Sequence, residues 1–300
     1  MNKYLKIAFS CYFVIMLMGG FMGIRYILAG EIRPHHLEII GVESWNMVVS
    51  EYKVMLLMLM KGAGLGYLTM AVALVVVLFG PFQEKERWSI WALLAICTVQ
   101  LFGRLVNIAI ASTNNQNSAP IELLAIAFGL VLVAFLCSLK MPRPDKQSHT
   151  NNSNEKYALF SQVCYALVAV MALITAVVYS ISSQAMPYHL DALSIPDWSS
   201  LEKGYQVIML TYMRGAGLGF LTTVVAIGLF LFALRKNTSN WMRWGIMVVS
   251  LTQALVMSYV VMTVRSLTPG NPPIIPLAAA VVLSIVGFLM PISKKKIKAT

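Results

Sequence analysis

Eight apolar runs constrain this chain more than any other feature of it. Each is long enough to cross the roughly 30 Å hydrocarbon core of a bilayer, which takes about 20 helical residues. They cover 5–29, 54–80, 89–112, 120–139, 158–183, 206–234, 243–265 and 274–292. The runs are continuous rather than alternating. That pattern predicts helices and excludes a barrel, whose strands alternate over about ten residues. Charged residues make up 12% of the chain, against roughly 25% in a soluble domain. The expectation is an all-α integral membrane protein with eight transmembrane helices. Lys3 and Lys6 ahead of the first run imitate a secretory leader. The run outlasts a leader core and shows no clear cleavage site, so it reads as the first helix.

The net charge of +11 invites a nucleic-acid reading, but its distribution argues against one. An even number of spans puts both termini on one side. That side would carry Lys3, Lys6, Lys85, Arg87, Lys140, Arg143, Lys146, Lys156, Arg235, Lys236, Arg243, Lys294, Lys295, Lys296 and Lys298, which are 15 of the 23 Lys and Arg residues. The positive-inside rule then places both termini in the cytoplasm and assigns the excess charge to topology. Compactness and the lack of a targeting extension point to the inner membrane of a bacterium.

A second constraint comes from an internal repeat. Shifted by 153 residues, the chain matches itself without a gap. Lys61–Thr69 (KGAGLGYLT) meets Arg214–Thr222 (RGAGLGFLT), and Pro34, His36, Leu37, Trp45 and Tyr52 meet Pro187, His189, Leu190, Trp198 and Tyr205. From Pro34 to Thr69, 15 of 36 positions are identical. Such self-similarity is the mark of duplication. The expected organisation is a first four-helix repeat at 1–140, a polar cytoplasmic linker at 141–156, a second repeat at 157–293 and a basic cytoplasmic tail at 294–300. Four helices is an even number, so the copies would be parallel and related by a pseudo-two-fold axis along the membrane normal. The surface between them is the expected place for a cavity, unless side chains fill it.

The glycine run of each copy, with Gly62 and Gly66 in the first and Gly215 and Gly219 in the second, carries small residues four apart. In lipid that spacing lets two helix backbones approach closely. A phosphate-cradling loop needs a strand before it, and none is expected here. Lys61 and Arg214 stand just ahead of the glycines, inside apolar runs. A cation there costs about 2.5–3.5 kcal/mol on insertion scales, so it pairs, snorkels or faces a wet cavity. Two readings stay open for the pair: attraction of an anion, or a structural contact with an acid or backbone carbonyls. Arg104 has Asn107 on its helical face, with Glu122 opening the next helix as a candidate partner. The second copy has Met257 and Ile275 at the positions of Arg104 and Glu122. His36 and His189 sit in the connections after the first helix of each copy, each followed two residues on by a carboxylate. A short interfacial helix, a proton-responsive gate and a shared metal site are all compatible with that placement. The four cysteines lie in apolar runs without a CxxC, so neither a zinc site nor a disulfide framework is expected. The 19 methionines read as adaptable packing rather than copper ligands.

Together, the charged residue and glycines at Lys61–Gly66 and Arg214–Gly219, the Gly103-Arg104 pair, and Pro120 followed by Glu122 resemble the DoxX-like superfamily of four-helix membrane proteins. The resemblance implies a four-helix bundle for each half. The second half lacks the Gly-Arg and Glu equivalents. Much of that superfamily is uncharacterised, so what the resemblance implies is a fold more than a function.

The leading expectation is a protein that binds or transports a small amphipathic or anionic, lipid-like molecule between the repeats. Lys61, Arg214, Arg104, Glu122, the four glycines, His36 and His189 are its candidate residues, with membrane lipids as neighbours and no cofactor, metal or nucleic acid. The competing classes are a membrane enzyme acting on a lipid-soluble substrate, as an isomerase or quinone-linked protein with Glu122 as its acid, and a scaffold without a ligand.

Overall fold

A computed structural model of the chain describes residues 2–112, 121–142, 155–236 and 240–290. Regular structure among them is entirely helical: α1 (Lys3–Ile27), α2 (Pro34–Ile40), α3 (Ser50–Val77), α4 (Trp88–Ser112), α5 (Ile121–Ser138), α6 (Glu155–Ile181), α7 (Pro187–Leu193), α8 (Lys203–Lys236), α9 (Asn240–Leu267) and α10 (Ile275–Leu289), with short turns between. Seven of these, all but α2, α7 and α10, contain stretches long and apolar enough to cross a membrane. This is the architecture of a multi-pass helical membrane protein. The expected basic tail at 294–300 and nearly all of the linker at 141–156 lie outside the described residues.

The last expected span is shorter than its apolar run. α10 has 15 residues, about 22 Å at 1.5 Å per residue. Prolines set both of its ends. Pro272 and Pro273 precede it, Pro276 occupies its first turn, and Met290, extended at φ −62° and ψ 118°, stands before Pro291. A residue preceding proline is driven out of the helical region by the pyrrolidine ring. Pro81 acts similarly within the second run: α3 passes into a π turn at Leu78–Phe82, where the missing N–H breaks the regular ladder.

Element by element, the second half follows the first at the 153-residue offset. α2 and α7 are both seven-residue helices that open on proline. Both close on a left-handed residue, Gly41 at φ 87° and Ser194 at φ 56°. A three-residue 3₁₀ turn follows each, at Trp45–Met47 and Trp198–Ser200.

α3 and α8 form the centre and pack on each other. α1 lies against α3 and α5, and α6 against α8 and α10. The third long helix of each half also leans on the opposite half, α4 on α8 and α9 on α3. The reason lies in the glycines. A Cβ on Gly66 would stand 3.1 Å from the Cα of Gly219, and one on Gly219 would stand 2.8 Å from the Cα of Gly66. The two backbones touch there, so only hydrogen fits. Gly64 and Gly217 face the other way. Gly64 receives Tyr26 of α1, and a Cβ on Gly217 would lie 2.8 Å from Ser180 Oγ of α6. One short motif thus seats α1 and α8 on α3 and, repeated, α6 and α3 on α8.

Amide–hydroxyl ties flank the central crossing. Gln100 of α4 donates from Nε2 to Thr222 Oγ1 at 2.6 Å and to the Leu218 carbonyl at 3.1 Å, both on α8. Gln253 of α9, the counterpart of Gln100, accepts from Thr69 Oγ1 of α3 at 3.1 Å and from Thr223 Oγ1 at 3.3 Å. Van der Waals contact and such hydrogen bonds drive helix association where lipid supplies no hydrophobic force.

Candidate functional site

The interface of the two halves is packed at the glycine crossing, so the expected cavity between the repeats does not form there. Each half instead encloses a cavity among its own helices. The first, about 210 Å³, lies between α1, α3, α4 and α5, beside α2. The second, about 260 Å³, lies between α6, α8, α9 and α10, beside α7, with α3 along one wall. Both exceed the roughly 150 Å³ that admits a benzene-sized guest.

Their linings correspond at the same offset. Tyr26, His36, Leu124 and Ile108 of the first match Tyr179, His189, Leu277 and Val261 of the second. The opposite half contributes Thr211 to the first and Met55, Met58, Leu59 and Gly62 to the second, with Thr211 and Met58 at equivalent positions. Polarity separates them. Arg104, Asn107, Tyr67 and His35 line the first cavity, and Met257, Val260, Phe220 and Tyr188 replace them in the second.

Arg104 is held at the wall of the first cavity. Its Nη2 donates to the Ala63 carbonyl of α3 at 2.8 Å, and the guanidinium lies 4.1 Å from the centre of the Tyr67 ring. Gly215 makes room for it, since a Cβ there would stand 2.9 Å from Arg104 Nη1. Asn107, one turn on, donates from Nδ2 to the Thr211 carbonyl at 2.9 Å. Arg104 Nε and Asn107 Oδ1 are buried and find no partner among the described residues. Arg104 forms no ion pair among the described residues, and no carboxylate lines this cavity. A guanidinium cannot shed its charge by losing a proton.

His36 closes the same end. It is buried, and its Nδ1 lies 2.6 Å from Tyr212 OH of α8. Burial, then the neighbouring His35, Arg33 and Arg104, hold its pKa well below the ordinary histidine value. His35 is lowered too, mainly by burial, with Glu38 opposing. In the second half His189 is buried, and its Nδ1 accepts from the Met186 backbone N–H at 3.2 Å. Burial pushes its pKa down to about 3. Beside it Tyr188 OH and Tyr179 OH are hydrogen-bonded at 2.7 Å.

The remaining candidate residues lie as follows. Lys61 and Arg214 line neither cavity. Lys61 is buried and donates from Nζ to the Ile27 carbonyl at 2.6 Å, with Tyr259 5.8 Å away. Ile27 ends α1, where carbonyls lack helical donors and the dipole favours a cation. The structural reading holds for Lys61. Arg214, at the equivalent position, is half-buried. Glu122 is exposed and forms no pair with Arg104 among the described residues. Gly66, Gly215 and Gly219 serve packing, and Gly62 touches the second cavity's wall. His36 and His189 belong to separate cavities, so they do not form a shared metal site.

Tyr26, Tyr67, Thr211 and Tyr212 entered none of the sequence expectations. One signal could have found Tyr26 of α1: it recurs as Tyr179 of α6 across the offset. Thr211 and Tyr212 come from the opposite half, and nothing in the sequence announces that exchange. No protein family, no curated protein and no solved structure matches this chain.

Proposed function

We propose that this is a bacterial inner-membrane protein that binds a small anionic amphiphile, such as a fatty carboxylate, in the first cavity. Its eight spans would form two parallel repeats about a pseudo-two-fold axis, with both termini in the cytoplasm. One observation carries the reading: a single guanidinium, Arg104, stands in an otherwise largely apolar cavity with no carboxylate in its lining. A cation so placed lowers its own energy by attracting an anion, and the pair is strong where water is scarce. Ile15, Met18, Met70, Leu101 and Leu124 offer the apolar body that an alkyl chain would occupy. A lining without carboxylates favours binding over acid–base catalysis centred on Glu122. The counterpart Met257 shows that methionine is accommodated at this place in the fold.

The test is saturation binding of radiolabelled dodecanoate to the full chain in lipid nanodiscs. Truncating one partner of a buried charged pair costs about 2–5 kcal/mol, so Arg104→Met should weaken binding at least about 30-fold. Equal affinity in the variant overturns the reading.

A further inference from the structure

The second cavity corresponds to the first in position but has no charged side chain in its lining, and that lining selects a different guest. We propose that it binds a neutral, lipid-soluble carbonyl compound, whose oxygen accepts hydrogen bonds from His189 Nε2 and from the Tyr179–Tyr188 hydroxyl pair.

The argument begins with the tautomer of His189. Its Nδ1 accepts a hydrogen bond from the Met186 N–H, so that nitrogen carries no proton. A neutral imidazole then carries its hydrogen on Nε2. The residue is 2% exposed, and Nε2 finds no protein partner among the described residues. The side chain lines the cavity. An N–H on a cavity wall offers a hydrogen bond to a guest that brings an acceptor.

The tyrosines supply a second donor. Of two hydroxyls 2.7 Å apart, one donates to the other. The accepting hydroxyl keeps its own hydrogen. The lining therefore holds two donors, one N–H and one O–H, and a carbonyl oxygen has a lone pair for each.

Charge discriminates against an anion. Among the lining residues there is no Lys, Arg, Asp or Glu. Met257, Val260 and Met58 stand where the first cavity has Arg104, Asn107 and Thr211. An anion here would lose its hydration without gaining a counterion. This inference is independent of the dodecanoate reading, which concerns the other half.

Benzophenone provides the probe, as a neutral ketone that labels nearby C–H bonds under ultraviolet light. The full chain in nanodiscs is irradiated with it, and adducts are mapped by mass spectrometry. Saturable labelling is expected at second-cavity residues such as Met58, Met257 and Val261. Excess dicyclohexyl ketone should suppress it, and the matched hydrocarbon dicyclohexylmethane should not. His189→Phe should weaken labelling about five- to tenfold, the worth of one hydrogen bond. Tyr188→Phe provides an independent variant should His189→Phe not fold. The inference fails if the hydrocarbon competes as well as the ketone. It also fails if adducts fall equally on Leu101 and Leu123 of the first cavity, or if both folded variants label like the parent chain.

Discussion

In the first half Arg104 reaches from α4 to the Ala63 carbonyl, beside Gly215. In the second, Met257 sits at the matching place on α9, and a Cβ on Gly62 would lie 3.8 Å from its Sδ. The glycine, the alanine and the helix crossing are common to both halves, while the side chain that faces the cavity is not. The same division runs through the other positions. Tyr26 and Tyr179, His36 and His189, Thr69 and Thr222, Gln100 and Gln253 are identical where helices touch or a cavity is closed. Asn107 and Val260, or Thr211 and Met58, differ in polarity where the side chains line the cavities. Backbone contact tolerates no change because no smaller group exists than hydrogen. A cavity wall tolerates many side chains of similar volume, so it is there that the two halves differ in chemistry.

The largest effect is expected where the halves are alike. Gly219→Leu would drive a side chain into the Gly66 backbone. That should exceed the roughly 1–3 kcal/mol of ordinary overpacking and leave little monodisperse protein on size-exclusion chromatography. Gly228→Ala, with nothing within 4 Å of its Cβ, should behave like the parent. If the leucine variant behaves normally, the central crossing is not what joins the halves.

Exchanging the difference comes next. Arg104→Met with Met257→Arg should move dodecanoate binding from one cavity to the other. Arg104→Met alone should lose at least about 30-fold in affinity. A photoreactive fatty acid would locate the bound chain, and labelling that stays in the first half would break the comparison.

Acidification tests the shared histidines. His189 has a folded pKa of about 3, below its unfolded value of 6.5. Below 6.5 the unfolded chain binds a proton that the folded chain refuses, so stability falls as pH drops through that window. At pH 5 His189 alone should cost about 2 kcal/mol relative to neutral pH. His36 is shifted in the same direction and adds to the loss. Thermal unfolding in detergent at pH 7 and pH 5 measures the sum. A flat profile would mean that both rings are hydrated in the folded state.

The hydrogen-bond ties should matter less. Gln100→Leu removes the bonds to Thr222 and Leu218. Double-mutant cycles in a membrane protein average about 0.6 kcal/mol for such bonds, with a maximum near 1.7, and the loss should fall in that range. The smallest change is a gain. Ser194 holds a left-handed conformation where the first half uses Gly41. Relief of that strain should make Ser194→Gly more stable by up to about 1 kcal/mol in the same assay.

Much of the helical framework was legible in the residues. Seven of the eight expected spans appear as long apolar helices, with boundaries moved by only a few residues. The proline-led helices at Pro34 and Pro187 also lie where the repeated loops had suggested short interfacial helices. The eighth run was apolar throughout, yet Pro276 and Pro291 bound a helix of 15 residues inside it. Hydropathy counts residues, whereas the length of a helix also depends on where N–H donors are missing.

The candidate site was legible only in part. Arg104, His36 and His189 line cavities, while Lys61 serves the end of α1 and Glu122 faces outward. A buried cation reads the same in sequence whether it meets a ligand or a carbonyl, because both satisfy its cost. By itself the sequence determined which segments are helical and apolar and which positions recur, since transfer free energy and the recurrence of residues are properties of the chain in order. Only the tertiary structure decided that the halves meet backbone to backbone, that each holds its own cavity, and that α3 walls part of the second cavity while α8 lends Thr211 to the first. Those outcomes depend on which helix faces come together, and faces separated by more than a hundred residues have no local signature.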